Sequence, residues 1–183
     1  MTAHVLVPLK RLDAAKSRLA EALAADERAE LMRGLLQGVL VAVRAAGFER
    51  VTVVTSEALE GIPVWQDRGL PWNEALATAI EEIVTEDVVA IVSADLPLLG
   101  ASEVRALVEA TPPRGIAIGR ALDGGTNAVA MRPPGIVLTR FGEPASAAVH
   151  ASLGVPSVMV DLPGLAFDVD TPEDLARMRE RAA

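Results

Sequence analysis

The chain has 183 residues, 51% of them hydrophobic and 23% charged, which suits one globular domain over residues 1–183 and argues against a disordered chain. Its formal net charge of −8 argues against a general nucleic-acid or anionic-membrane surface, because such partners require a basic footprint. The absence of cysteine excludes disulfides, thiolate nucleophiles and cysteine-ligated zinc, and the two histidines, His4 and His150, are too few for a histidine-rich metal centre.

Any metal ion must therefore be a hard cation held by carboxylates, which favours Mg²⁺ or Mn²⁺. Residues 1–4 lead directly into a strand-like segment with no secretion signal, and no apolar run approaches the ~20 residues that span a bilayer. We expect a cytoplasmic location. The oligomeric state is left open, a homodimer included.

Short β-branched runs alternate with amphipathic stretches, a pattern typical of βαβ units. The predicted strands are 5–7, 51–55, 88–92, 116–118, 128–131 and 157–160. The predicted helices are 26–46, 73–84, 102–110, 144–153 and 171–181. We expect Pro8 to stop the first strand, Asp26 to cap the first helix and Gly47 to end it. The sequence thus predicts an α/β fold: a mostly parallel twisted sheet, helices on both faces and a small antiparallel element.

A basic loop follows the first predicted strand. It places Lys10, Arg11, Lys16 and Arg18 within nine residues of an otherwise acidic chain. Fixed cations at a strand tip suit a triphosphate, whose charge must be neutralised as pyrophosphate leaves. The loop contains neither GxxxxGKS nor GxGxxG, so neither a P-loop NTPase nor a classical dinucleotide site is supported. A solvated basic surface loop is the alternative.

Asp95 follows the apolar strand 88–92, and Pro97 comes directly after it. A carboxylate at the carboxyl end of a strand can hold Mg²⁺ against phosphate oxygens, although an aspartate there also serves as a turn cap. Asp168 and Asp170 alternate along an extended segment and so share one face. They either pair with Asp95 around a metal ion or only serve the helix start at Thr171-Pro172.

Two further segments suit a small anionic ligand. The stretch 119–127 offers Gly124 and Gly125 for close backbone approach and Thr126 and Asn127 as side-chain donors, or else Asp123-Gly124-Gly125 forms only a hairpin turn. In the stretch 141–150, Ser146 near a helix start could bind an anion, with His150 one turn later. A helix cap and a partly buried histidine are the alternatives.

Five stretches in this order resemble the guanylyltransferase family of coenzyme F-420 biosynthesis: VPLKRLDAAKSRL at 7–19, SADLPLL at 93–99, DGGTNA at 123–128, FG…S…H at 141–150 and DVDTPEDL at 168–175. The resemblance implies the Rossmann-like, nucleotide-diphospho-sugar transferase-like fold that molybdenum-cofactor guanylyltransferases also have. It further implies that GMP passes from GTP to 2-phospho-L-lactate or phosphoenolpyruvate, with Mg²⁺ as cofactor and release of pyrophosphate.

The resemblance also assigns residues to each part of this reaction. It implies a nucleotide-binding set of Pro8, Lys10, Lys16, Arg18, Asn73 and Asp95, with Asn73 near the nucleoside. Lys16, Arg18 and Asp95 would be catalytic, and Asp95 would ligate Mg²⁺ with Asp170 or Asp168. It implies acceptor binding by Thr126, Gly142 and Ser146.

Two rival functions remain at this stage. A nucleotidyltransferase could act on a sugar phosphate or on molybdopterin instead. A non-catalytic nucleotide-binding α/β module would release no pyrophosphate and would be indifferent to Mg²⁺.

Overall fold

A computed structural model describes residues 2–12 and 16–182. Residues 13–15, which belong to the predicted basic loop, lie outside the described residues, as do both end residues of the predicted domain. The strands are β1 (Ala3–Pro8), β2 (Val51–Thr55), β3 (Val64–Gln66), β4 (Val88–Val92), β5 (Gly115–Arg120), β6 (Thr126–Arg132) and β7 (Ser157–Val160). The helices are α1 (Ala25–Ala45), α2 (Trp72–Ile83), α3 (Ala101–Glu109), α4 (Ser146–Ala151), α5 (Pro163–Ala166) and α6 (Pro172–Ala182), with a 3₁₀ helix at Ser17–Leu19.

The seven strands form one sheet in the order β3-β2-β1-β4-β6-β5-β7. β1 pairs in parallel with β2 and β4, β2 with β3, and β5 with β7. Only β6 is reversed within this sheet, because it runs antiparallel to both β4 and β5. The predicted α/β fold is confirmed, and β6 is its antiparallel element.

The strands have apolar side chains on both faces of the sheet. Along β1, Val5 and Val7 pack on one face, against α1 and α3, whereas Leu6 between them packs on the other, against α2. This division follows from the period of two along a strand. Because both faces are covered, the strands read as continuous apolar runs, as in buried parallel sheets. The helices therefore lie on both faces, as predicted.

The first long helix begins differently from the prediction. Asp26 does not cap α1; the side chain of Glu27 accepts a 2.7 Å hydrogen bond from the backbone N–H of Ala24, the residue before the helix. Glu27 can reach back because it occupies the third helical position. Gly47 follows the helix with φ +90°, the left-handed conformation expected at a C-terminal cap.

Other boundaries differ by one or two residues. Pro8 does not stop the first strand but is its last residue, where it lies opposite Val54 of β2. The helix predicted from Pro144 begins only at Ser146, because Ala145 has φ 50° and cannot belong to a right-handed helix. The short elements β3 and α5 are not predicted, since three or four residues carry too little periodicity to be recognised.

None of the helices in the described part of the chain combines the length and apolar character needed to cross a bilayer.

Candidate active site

A cleft of about 720 Å³ opens at the carboxyl ends of β1 and β4. Because β6 is reversed, its first residues, Thr126 and Asn127, lie at the same edge of the sheet. This is where open α/β sheets place their ligands. The lining includes Pro8, Lys10, Lys16, Arg18, Trp72, Asp95, Asp123, Gly125, Thr126, Asn127, Gly142, Glu143, Ser146, Asp168 and Asp170.

Three carboxylates meet in this cleft. One oxygen from each of Asp95, Asp168 and Asp170 lies within 4.8 Å of the others, close enough to hold one metal ion. The two parts of the chain are joined by a backbone hydrogen bond of 3.3 Å from Val169 N–H to the carbonyl of Asp95. We call these three side chains the acidic triad.

Local structure fixes the direction of the two C-terminal carboxylates. Val169 is fully buried, so Asp168 and Asp170 on either side of it both face the cleft. Thr171 caps α6 reciprocally with Asp174: the backbone N–H of Thr171 donates to the Asp174 carboxylate at 2.9 Å, and the Asp174 N–H donates to the Thr171 hydroxyl at 3.2 Å. The helix start predicted here is confirmed.

Lys16 lies among these carboxylates. Its ammonium donates to Asp95 at 2.5 Å and to Asp170 at 2.8 Å, and its side chain is only 6% exposed. Burial alone would lower the pKa of Lys16, but the negative charges of Asp95 and then Asp170 outweigh it and raise that pKa above its usual value. Arg18 lies further out, 74% exposed, with a guanidinium nitrogen 3.6 Å from Asp170.

The carboxyl group of Asp168 is partly buried, and its pKa is shifted. Burial, followed by the charge of Asp95, raises the pKa of its carboxyl group to about 6. The amide of Asn127 opposes this shift by donating to Asp168 at 3.2 Å, while it also donates to the carbonyl of Leu165 at 3.0 Å. A bound cation would relieve the repulsion that remains.

Asn73 forms three hydrogen bonds with the segment 139–141. Its amide group donates to the carbonyl of Phe141 at 3.1 Å and accepts from the Thr139 hydroxyl at 2.9 Å and the Phe141 N–H at 3.1 Å. Asn73 is not among the residues that line the cleft; its neighbour Trp72 is. The nucleoside contact of Asn73 stays a prediction, and the structure adds that this side chain joins α2 to the segment before Gly142.

A second buried network supports the wall of the cleft formed by Thr126 and Ser146. The Ser146 hydroxyl donates to the Thr126 hydroxyl at 3.0 Å. His150, fully buried, accepts at Nε2 from the Arg140 backbone N–H at 2.9 Å, so its proton is on Nδ1, which lies 2.8 Å from the carbonyl of Ser146 and 3.1 Å from the Thr126 hydroxyl. Burial lowers the pKa of His150. The prediction that Ser146 and His150 share a helix face is confirmed, and Ser146 is the first helical residue rather than the cap.

The glycine-rich turn between β5 and β6 both closes a hairpin and lines the cleft. Ala121 N–H donates to the carbonyl of Gly125 at 2.9 Å, and Gly124 has φ +87°. The turn also contacts α4, where the Ala147 N–H donates to the Gly124 carbonyl at 3.3 Å. The two alternatives considered for this stretch are therefore compatible.

Most residues assigned from the sequence line this one cleft. The triad, Pro8, Lys10, Lys16, Arg18, Thr126, Gly142 and Ser146 all do so, whereas Asn73 does not. Trp72 was missed: it lies at the start of α2, with the ammonium of Lys10 4.7 Å from the centre of its ring. No sequence signal separates such a tryptophan from one that only packs in the core. Asp123 and Asn127 were recognised as turn and donor residues without an assigned role.

Comparisons with known proteins agree with this geometry. The family described as "Guanylyl transferase CofC like" matches residues 3–179. A phosphoenolpyruvate guanylyltransferase from Sphaerobacter thermophilus is 41% identical, over 100% of this chain and 95% of that protein. A 2-phospho-L-lactate guanylyltransferase from Haloarcula marismortui is 34% identical, over 89% and 79%. A nucleotidyl transferase from a Methanothermobacter species has the same fold, with a TM-score of 0.70 at 17% identity over 98% of this chain and 97% of that one.

Proposed function

Because the chain belongs to the family of CofC-like guanylyl transferases, we propose that it transfers GMP from GTP to phosphoenolpyruvate or 2-phospho-L-lactate. The other product is pyrophosphate, and the cofactor is Mg²⁺. The names of its relatives support both acceptors. By its resemblance to that family, we assign the reaction to coenzyme F-420 biosynthesis.

The observation that carries this proposal is the meeting of opposite charges in one cleft. The acidic triad faces cations from the loop after β1, although Asp95 and Asp170 lie 79 and 154 residues from Lys16 along the chain. Nucleotidyl transfer requires both: cations for the triphosphate and carboxylates for a divalent ion. A binding module would need no such pairing.

The donor set of the acidic triad suits Mg²⁺. Three carboxylates offer only hard oxygen ligands, and burial, followed by the charge of Asp95, raises the pKa of Asp168 to about 6, a shift that a bound cation would oppose. Asp95, Asp168 and Asp170 would hold the ion. Bound there, it would screen the charge of the phosphate groups and act as a Lewis acid.

We assign three of the four cations of the opening loop to the triphosphate. Lys10, Lys16 and Arg18 line the cleft beside the triad, where they would neutralise the charge that develops on pyrophosphate as it departs. Pro8, the last residue of β1, also lines the cleft. The ring of Trp72 lies 4.7 Å from the ammonium of Lys10, so we place the nucleoside beside these two residues.

We assign the acceptor to the part of the cleft lined by Thr126, Gly142 and Ser146. Gly142 has φ +81°, which presents backbone to the cleft without a side chain. A phosphate oxygen of the acceptor attacks the α-phosphorus of GTP in line; the new P–O bond forms as the bond to the β-phosphate oxygen breaks. The attacking oxygen is already anionic, so no protein nucleophile is required and the residues act by positioning and charge.

The test is product analysis with purified protein. With GTP, Mg²⁺ and phosphoenolpyruvate or 2-phospho-L-lactate in turn, we expect pyrophosphate release and a product with the mass of the guanosine diphospho-acid. We expect phosphoenolpyruvate to be the better acceptor, since the relative with that name is the more similar, at 41% against 34% identity. CTP, UTP and ATP are the matched controls. Absence of pyrophosphate with both acids, from folded protein, would contradict the proposal.

A further inference from the structure

Lys16 and a divalent ion compete for the same carboxylate groups. The ammonium of Lys16 bonds Asp95 Oδ2 at 2.5 Å and Asp170 Oδ1 at 2.8 Å, and these two residues belong to the acidic triad. Mg²⁺ would need carboxylate oxygens at about 2.0–2.1 Å in near-octahedral geometry. An ammonium group bonded to two of the three carboxylates competes with that arrangement, and its positive charge repels the ion.

The position of Lys16 depends on those two contacts. Its backbone has φ 53° and ψ 42°, a left-handed conformation that costs a non-glycine residue energy, at the start of the 3₁₀ helix Ser17–Leu19. The long side chain is 6% exposed, so it is held inside the cleft. A triphosphate would offer this ammonium a second set of anionic partners, in the same cleft and beside Lys10 and Arg18.

We propose that Lys16 is a placeholder for the metal ion: it occupies the acidic triad until the nucleotide draws it away, and only then does the divalent ion bind tightly. This inference rests on the proposed function and adds to it a coupling between nucleotide binding and metal binding. Metal ion and nucleotide should each bind weakly alone and strengthen each other, because either one displaces the same ammonium group. Lys16 is thus a positioning residue for the metal site, in addition to its assigned contact with phosphate.

The test measures metal binding without catalysis. Mn²⁺, a paramagnetic stand-in for Mg²⁺, is titrated into nucleotide-free protein and free Mn²⁺ is counted by electron paramagnetic resonance. We expect Lys16→Met to bind Mn²⁺ at least about 10-fold more tightly than wild type, because the space and the charge are both vacated. Arg18→Met is the matched control: it removes a positive charge 3.6 Å from Asp170 but empties no space, so we expect a change below about threefold.

A second measurement uses wild-type protein, in case Lys16→Met does not fold. Lys10 and Lys16 are the two lysines of the chain, so acetylation of each amine can be followed by mass spectrometry. We expect saturating Mg²⁺ without nucleotide to increase the acetylation of Lys16 severalfold relative to EDTA, with Lys10 as the internal reference. A nucleotide analogue with a non-cleavable α,β-methylene bridge should then protect Lys16 again.

The outcomes distinguish a failure of this inference from a failure of the proposed function on which it rests. Equal Mn²⁺ affinity in wild type and folded Lys16→Met, or Lys16 acetylation indifferent to Mg²⁺, would overturn the placeholder role and leave the metal site standing. Failure of every variant to bind Mn²⁺, with and without the nucleotide analogue, would overturn the metal site itself.

Discussion

The carboxylates are the residues of this site that are best predicted from the sequence. The meeting of three carboxylates could be predicted for two reasons. Asp95 follows the carboxyl end of a strand, and Asp168 and Asp170 alternate along an extended segment and so share one face. The partners of Asn73 could not, since residues 139–141 are almost 70 positions away and form no recognisable motif. The ion pair of Lys16 was also unpredictable, because a lysine suited to phosphate is equally suited to a carboxylate.

Replacing Asp95 tests the triad at the level of one residue. We expect Asp95→Asn to fold normally and to lose at least ~10²-fold in guanylyl transfer, the scale of one preorganised electrostatic group. Steady-state pyrophosphate release measures the loss, and circular dichroism checks the fold. Asp161→Asn is the matched control, because Asp161 pairs with Arg120 outside the cleft lining. Near-wild-type turnover of folded Asp95→Asn would refute the assignment.

His150 provides a prediction about pH. Its Nε2 accepts from the Arg140 N–H, so only the neutral ring fits, and burial holds its pKa below the usual 6.5. The stability that this ring contributes is therefore complete above pH 6.5 and is lost as the pH falls below that value. In a ¹⁵N titration of the imidazoles, we expect the neutral form of His150 to be the Nδ1–H tautomer and its protonation midpoint to lie below that of the unfolded chain. A midpoint above that of the unfolded chain would contradict the observed hydrogen bond.

At the scale of elements, composition and period predicted most strands and helices to within two residues. β2, β4 and β7 are confirmed at both ends, because each is a β-branched run bounded by polar or turn residues. The errors have local causes: Glu27 rather than Asp26 caps α1, and the left-handed Ala145 shortens α4. The residue types alone decide neither which acidic residue caps α1 nor that Ala145 is left-handed.

Helix α1 offers a matched pair of glycines. Gly38 lies in its exposed face with nothing within 4 Å of an added Cβ, whereas Gly47 follows its end with φ +90°. Gly38→Ala should raise the free energy of unfolding by about 0.5–1 kcal/mol, because alanine restricts the unfolded chain and favours helix. Gly47→Ala should lower it by about 1 kcal/mol, because an L residue is strained there. Urea unfolding measures both, and equal signs for the two substitutions would contradict this account.

At the scale of the molecule, the cleft exists only in the complete fold. The loop after β1, the turn after β4, the start of β6 and the segment before α6 meet at one edge of the sheet. Ligands that bridge these parts bind the folded state and not the unfolded chain, so they must stabilise the whole protein.

We therefore expect ligands to raise the melting temperature. Mg²⁺ with the α,β-methylene analogue of GTP, at about 100 times its Kd, should add about 2.7 kcal/mol, or roughly 5–10 °C for a chain of this size. Scanning fluorimetry against EDTA measures the shift, with the CTP analogue as control. Asp95→Asn should respond less than wild type. An unchanged melting temperature of the wild-type protein under saturating conditions would count against the site.

The reversal of β6 has a consequence for redesign and for the divergence of the family. Since β5 and β6 are adjacent and antiparallel, the peptide between them is a short hairpin, yet it lines the part of the cleft that we assign to the acceptor. Its side chains can therefore differ between relatives without a change in strand order, provided that the Gly124 carbonyl still accepts from the Ala147 N–H. We expect side-chain exchanges in this hairpin to alter which phosphorylated acid is accepted.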